Sequence, residues 1–446
     1  MSKPTATPAL KKVLKPVHLW AIAVGLVISG EYFGWNYGWA VSGTVGFLIA
    51  TLLVTIMYVT FIFSFTELTA SIPHAGGPFA YSYRAFGPVG GFIAGFATLI
   101  EFLFAPPAIA FALGSYIHFL YPSIPVLASA LVSYVVFIAI NLLGIKESAT
   151  FSVVITLLAV AELLLFMGLV APHFKSSYFL KDPMPFGLPG VFAALPFAIW
   201  FYLAIEGVAM VAEEVDDPKR NIPKGYVYGL ITLVFLALGV MILTGGVTNW
   251  QTLSNIDYPL PEALGIVLGK QNTWTKFFAG IGLFGLIASF HGCIIGYSRQ
   301  IFALARSGYL PSFLAGVNIK FRTPHWALIA GGAVGCVALI SGTTNQVIIL
   351  SVLGAVVMYI ISLLSLFVLR QKEPKLERPF KAPFYPWFPA TSLVLCVVSL
   401  AAIVWYNLLL SIVFFAVLLV MLAVYLLARK HRQPTDDVLL RAEEHS

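Results

Sequence analysis

Apolar stretches of about 20 residues recur along the whole chain, each long enough to span a bilayer core of roughly 30 Å. Only 10% of the 446 residues are charged, against roughly 25% in a soluble domain, so most of the surface must face lipid. Twelve spans can be drawn, at about 17–41, 44–66, 88–119, 125–144, 150–171, 189–211, 225–248, 274–303, 325–343, 346–369, 388–407 and 409–428. The chain reads as an all-α polytopic membrane protein with 12 transmembrane helices. The longest external loops, Pro172–Pro189 and Asn249–Thr273, are too short for a separate soluble domain. The expected organisation is a basic leader over 1–16, one membrane domain over 17–428 and a tail over 429–446.

The net charge of +7 invites nucleic-acid binding, but its distribution argues otherwise. With the N-terminus in the cytoplasm, the exterior keeps only Lys175, Lys181, Lys270 and Lys276 of the 26 Lys and Arg residues. That bias is the positive-inside rule, and it predicts a multi-pass protein of the cell membrane with both termini cytoplasmic and no nucleic-acid partner. The first apolar run is too long for a signal-peptide core, and no small-residue cleavage site follows it. Cys293, Cys336 and Cys396 lie singly in or beside apolar runs, so the spacing supports neither a disulfide framework nor a metal site. No H-E-x-x-H or G-x-S-x-G motif occurs. The reading is a protein without cofactor or metal that is not an enzyme.

Two spans stand out. In the first, Gly25-Leu-Val-Ile-Ser-Gly-Glu-Tyr-Phe-Gly34 places three glycines, a serine and the carboxylate of Glu31 at membrane depth. Glycine weakens helix continuity, and a bare carboxylate in hydrocarbon is costly enough to mark a functional site. In the sixth, Pro196-Phe-Ala-Ile-Trp-Phe-Tyr-Leu-Ala-Ile-Glu-Gly207 again combines proline, glycine and a carboxylate, Glu206. Interrupted helices at corresponding places in two halves point to a transporter site near the midplane. Spans one and six are five apart, which predicts two five-span repeats (about 17–171 and 189–369) with two appended helices over 388–428.

Aromatic residues crowd both interruptions: Tyr32, Phe33 and Trp35 in one, Trp200, Phe201 and Tyr202 in the other. Beside two carboxylates, such rings suit a small organic cation through cation–π attraction. Glu101 in span three and Glu162 in span five lack this company and read equally as structural groups or as part of a site. His291 in span eight reads as a packed, hydrogen-bonded histidine before a proton relay.

Further stretches, taken with these, resemble the amino acid–polyamine–organocation transporter superfamily. Glu67-Leu-Thr-Ala-Ser-Ile-Pro-His-Ala-Gly-Gly-Pro-Phe-Ala-Tyr81 with Ala85-Phe-Gly87 is similar to its loop between spans two and three. Asn141-Leu-Leu-Gly-Ile-Lys-Glu-Ser148 resembles its junction of spans four and five. Glu213-Glu-Val-Asp-Asp-Pro-Lys-Arg-Asn-Ile-Pro223 and Ser298-Arg-Gln-Ile-Phe-Ala-Leu-Ala-Arg-Ser-Gly-Tyr-Leu-Pro311 resemble its signatures after spans six and eight. The resemblance implies a five-plus-five inverted-repeat fold and alternating access around broken helices 1 and 6.

One departure from that pattern narrows the substrate. Amino acid carriers of the superfamily read G-S-G or similar at the first break, where backbone N–H groups of the second half-helix bind the substrate carboxylate. Here the matching positions are Ser29, Gly30 and Glu31, and Glu31 would sit at that positive helix end. A substrate carboxylate would meet a like charge, a repulsion of several kcal/mol at an effective dielectric near 20. The combination is most similar to the ethanolamine permease family. It implies import of a small amine, with Glu31 holding the ammonium or sharing it with Glu206, and with Tyr202, Ser29 or freed backbone carbonyls taking the hydroxyl. An amino acid permease or exchanger of the same superfamily, and a carrier of a choline-like quaternary amine, are the rivals. Glu206, Glu101, Glu162, Ser289 and His291 are the candidates for coupling to an ion, proton or sodium. Some proton-coupled members carry a lysine in mid span five; the comparable position here is near Ala159 and holds none.

Overall fold

A computed structural model describes residues 12–144 and 149–429. The leader before residue 12, residues 145–148 of the junction between spans four and five, and the tail beyond 429 lie outside the described residues.

Among the described residues every long element is helical, and nine helices are long and apolar enough to cross a membrane. Spans 1, 4 and 9 complete the set of twelve. Span 4 (Val126–Leu142) and span 9 (His325–Ser341) are shorter apolar helices. Span 1 is in pieces: Pro16–Val27, Ser29–Tyr32, and then 37–42. Span 2 follows at 44–71, after a break at Gly43, and span 3 occupies 88–120, after a break at Gly87. The others are span 5 (Ala149–Val170), span 6 (Leu195–Trp200 and Ile205–Glu214) and span 7 (Pro218–Gly245). They continue with span 8 (Thr273–Arg306), span 10 (Thr344–Lys372), span 11 (Trp387–Tyr406) and span 12 (Leu408–Arg429).

Spans 3 and 10 pack along each other more extensively than any other pair, and span 8 packs along span 3 as well. Spans 1 and 6 run through the middle of this frame, and the window over span 6 is 94% buried. Of the nine long spans, spans 5, 11 and 12 are the least buried, at 33%, 33% and 22%, as helices facing lipid must be. Two polar straps close the ends. At the leader end, the Val13 and Leu14 N–H groups donate to the Glu214 carbonyl, and the Asp216 N–H donates to Leu14 O. At the opposite end, the segments 171–194 and 246–272 lie over the bundle, joined where Trp250 Nε1 donates to Asp182 O at 3.1 Å.

Candidate functional site

Span 1 is interrupted twice. Its first helix ends at Val27, Ile28 keeps the chain turning in the same sense (φ −57°, ψ −23°), and after the single turn Ser29–Tyr32 the chain unwinds at Phe33, which is extended, and at Gly34, where φ is +92°. Only glycine adopts that last conformation at no steric cost. Gly30 matters for another reason. A Cβ there would lie 2.4 Å from the Trp200 carbonyl oxygen, so the bare glycine lets spans 1 and 6 cross in contact. Glu31 lies in the first turn of the short piece Ser29–Tyr32, between the two interruptions. The longer outer piece of span 1 begins only at Tyr37.

The backbone carbonyls released by this break are already served. Trp35 Nε1 donates to Glu31 O at 3.1 Å, the Tyr116 hydroxyl to Tyr32 O at 3.4 Å and Trp200 Nε1 to Phe33 O at 3.0 Å. The Glu31 carboxyl is not. It is wholly buried, and among the described residues neither oxygen meets a donor.

Span 6 unwinds over Phe201–Ala204, directly before Glu206. Ala204 takes the left-handed conformation (φ +75°), a strain of about 1–3 kcal/mol that is typical of functional breaks. Beyond it the chain winds as a tighter 3₁₀ helix, Ile205–Glu214. Glu206 is held through one oxygen: the Tyr359 hydroxyl donates to Oε2 at 3.1 Å and pairs with the Tyr58 hydroxyl at 2.9 Å. Its partner among the carboxylates is Glu101 of span 3, not Glu31. The Ala204 N–H of the unwound segment bears on the Glu101 carboxyl, and among the described residues no hydroxyl or basic side chain donates to it. The sharing of one substrate group between Glu31 and Glu206, expected from the sequence, is not the arrangement found.

The remaining site residues divide between two surroundings. Tyr32 turns towards spans 5 and 8, its hydroxyl donating to Glu162 Oε2 at 2.8 Å. The rings expected to form a cation box lie on one another: Phe201 stacks on Trp35 (centroids 5.8 Å apart) and Trp200 meets Phe33 edge-on (5.6 Å). The Tyr202 hydroxyl is hydrogen-bonded to Thr55 at 2.7 Å. Between the two breaks a cavity of about 10 Å³ remains, touched by Leu26, Ser29, Ile109, Trp200, Ala204 and Cys293. That is room for about one water molecule. A larger cavity, about 160 Å³, opens between spans 1, 3, 5, 6 and 8, from Gly25 and Gly207 to Arg299.

Twelve spans, two of them unwound face to face over buried carboxylates, are the frame of a carrier, and sequence comparison agrees. The family description "amino acid permease" matches residues 14–435. The chain belongs to this family. The permease is 30% identical to an uncharacterized transporter of Rhizobium meliloti, over 87% of this chain and 85% of that protein. It is 25% identical to the branched-chain amino acid permease of Bacillus subtilis, covering 95% of this chain and 94% of the relative. It is 27% identical to the methylthioribose transporter of the same organism, covering 91% and 92%.

Of the permease's other candidate residues, Ser289 lies at the site and His291 does not. The Ser289 hydroxyl is 2.8 Å from that of Ser29 and 2.6 Å from the Leu26 carbonyl, so span 8 is fastened to span 1 one turn below the break. His291 faces span 4, with Nε2 3.3 Å from Asn141 Oδ1 and its ring against Phe137. Sequence reasoning missed Tyr58, Tyr116 and Tyr359. Each is one tyrosine in an otherwise apolar run, and only the packing of spans 2, 3 and 10 brings them to the breaks.

Proposed function

We propose that this permease is a secondary active transporter that imports a small organic amine, ethanolamine being the substrate to test, by alternating access around the two broken spans. The observation that carries the reading is Glu31: an enclosed carboxyl with no donor among the described residues, in the single turn between the two interruptions of span 1. A buried carboxylate left without a donor favours a cation beside it. An ammonium is a compact charge with several donors, and it supplies what both oxygens lack. A substrate carboxylate at that place would be repelled by several kcal/mol at an effective dielectric near 20. The cavity between the breaks has to widen to admit even a small amine, because about 10 Å³ holds only one water. Separation of spans 1 and 6 would open the Trp35–Phe201 and Trp200–Phe33 contacts and turn those rings into cation–π partners.

A second reading, an amino acid permease or exchanger, is favoured by the relative named for branched-chain amino acids. The methylthioribose relative speaks for a family whose substrates are not all amino acids. For coupling, Glu101 facing Glu206 supports a proton, since one proton between them turns two opposed acceptors into a donor and an acceptor. The Ser29 and Ser289 hydroxyls with the Leu26 carbonyl support a sodium ion. The charge bias of the loops supports cytoplasmic termini and a location in the cell membrane.

The test is uptake of labelled ethanolamine into proteoliposomes, with a panel of amino acids and choline as competitors and with imposed proton and sodium gradients. Glu31→Gln is expected to reduce ethanolamine uptake at least about tenfold, the scale of one lost charge-assisted hydrogen bond. Glu31→Gly is expected to do the same and to admit amino acids. Full ethanolamine transport by Glu31→Gly with no gain of amino acid transport would show that the carboxylate has another role.

A further inference from the structure

The loop between spans 7 and 8 carries an aspartate that neither the substrate nor the coupling reading uses. Asp257 Oδ1 accepts from the Tyr37 hydroxyl at 2.7 Å, and Oδ2 accepts from the Thr344 hydroxyl at 2.9 Å. Tyr37 opens the last piece of span 1, just past the break, and Thr344 is the first residue of span 10. One carboxyl thus joins three elements at the face opposite the leader. The same loop reaches into the break itself. Asn36, in the unwound turn, donates through Nδ2 to the carbonyls of Leu253 (2.7 Å) and Ile256 (2.8 Å), and its Oδ1 accepts from the Gly34 N–H at 3.1 Å. Alternating access requires the outer piece of span 1 to leave the frame around span 10 while substrate enters from this face.

We propose that Asp257 is the clasp of the outer gate: it holds the outer piece of span 1, the loop and the start of span 10 together, and the gate opens only when its two hydrogen bonds part. The inference rests on the alternating-access reading above, though not on which substrate is carried.

A carboxyl at this place, unlike a neutral amide, can titrate, and that has a consequence. Asp257 faces Tyr37 from span 1, Thr344 from span 10 and Tyr258 of its own loop; Glu262 and Lys270, paired at 2.8 Å, act on Tyr258. Among the described residues no basic side chain offsets its partial burial, which pushes the carboxyl up to about 6 although the two hydroxyl donors pull it down. Opening exposes Asp257 to water and returns it to the ordinary aspartate value of 3.8. The closed gate therefore binds the proton more tightly than the open one. Closure gains stability as pH falls through about 6, and that gain is lost as pH rises again. From these two values, closure is expected to be favoured about fourfold more at pH 5.5 than at pH 7.5, and about twenty-five-fold more at pH 4.5.

Hydrogen exchange read by mass spectrometry on the full chain in lipid nanodiscs, without substrate and corrected for intrinsic rates, tests this. In the wild type, protection of residues 34–42 is expected to rise by those factors as pH falls. Asp257→Ala is expected to speed exchange in both 34–42 and 249–258. Asp257→Asn, which keeps the acceptor for Tyr37 and cannot ionise, is expected to hold the acid level of protection at every pH. Tyr37→Phe, which keeps its ring on Phe197, is expected to behave as the alanine variant does. Acceleration confined to 249–258 in Asp257→Ala, or a pH slope in Asp257→Asn equal to the wild type, overturns the clasp. Failure to transport ethanolamine bears on the proposed function alone, because no substrate enters this measurement.

Discussion

At the scale of single residues, the arrangement around Glu206 shows how a buried acid is kept in readiness. Tyr58 and Tyr359 form a short chain of hydroxyls ending on Oε2, whereas Oε1 and both oxygens of Glu101 have no hydroxyl or basic side-chain donor among the described residues. Buried acceptors without donors carry a desolvation penalty of about 1–3 kcal/mol each, which a proton or a cationic group would relieve. Tyr359→Phe removes the hydroxyl that donates to Glu206 while leaving the ring against Phe61. It is expected to destabilise the protein by about 1–3 kcal/mol, read as a lower melting temperature, and to slow transport. Glu206→Gln keeps the Tyr359 bond and cannot ionise. If a proton on this pair drives transport, that variant is expected to retain substrate exchange between the two sides and lose accumulation driven by a pH gradient. Retained accumulation would place coupling elsewhere, with Glu162 and Tyr32 the next groups to test.

At the scale of elements, the two interruptions were legible in the sequence, because glycine, proline and a carboxylate within one apolar run suit a plain lipid-facing helix poorly. Their internal detail was not legible. The glycines of span 1 divide between a bend at Gly34 and a close approach at Gly30, and nothing local distinguishes them: the neighbour that decides is Trp200, 170 positions further on. The aromatic residues were read as a cation box, but the sequence cannot show that their nearest partners are one another. Tyr58 and Tyr359 left no signal, since a tyrosine in a lipid-spanning run is ordinary until a distant carboxylate meets it. Asp257 lies in a polar loop where an aspartate is unremarked. The crossing of spans 1 and 6 gives the sharpest test at this scale. Gly30→Ala puts a methyl 2.4 Å from a backbone carbonyl that cannot rotate away, so the half-helices must separate. Transport is expected to fall at least about tenfold, with a loss of stability of about 1–3 kcal/mol. Gly25→Ala meets the Thr156 Oγ1 at 2.9 Å, a hydroxyl that can change rotamer, and is expected to keep most activity. Equal losses in the two variants would show that the crossing is not special.

At the scale of the whole molecule, a carrier needs two parts that move and a frame that does not, and the strongest polar bonds fall on the frame. Glu67, at the leader end of span 2, is 1% exposed. It accepts from Arg370 Nε and Nη2 at 2.8 and 2.6 Å and from the Ala382 N–H at 2.7 Å, with Arg378 Nε at 3.2 Å. One carboxylate therefore ties spans 2 and 10 to the segment leading into span 11, and the Arg370 guanidinium lies 3.8 Å from the Tyr385 ring centroid. Buried charges of this kind stabilise only as a complete set: removing one member leaves the others desolvated and unpaired, at about 3–5 kcal/mol. Glu67→Ala is expected to cost that much in thermal unfolding, and Glu67→Gln nearly as much, because the amide keeps the shape and not the charge. The exposed Lys219–Glu377 pair is as short, at 2.7 Å, but both side chains are more than half in solvent. Glu377→Ala is expected to change stability by less than about 1 kcal/mol. The broken spans have no such buried anchor among the described residues: the Arg299–Glu214 pair at the end of span 6 is 4.0 Å long and partly exposed. Ser29, Asn36 and Asp257 hold span 1 through neutral or single-carboxylate hydrogen bonds. Should Glu67→Gln leave the melting temperature unchanged, this division between a charged frame and a hydrogen-bonded gate would not describe the protein.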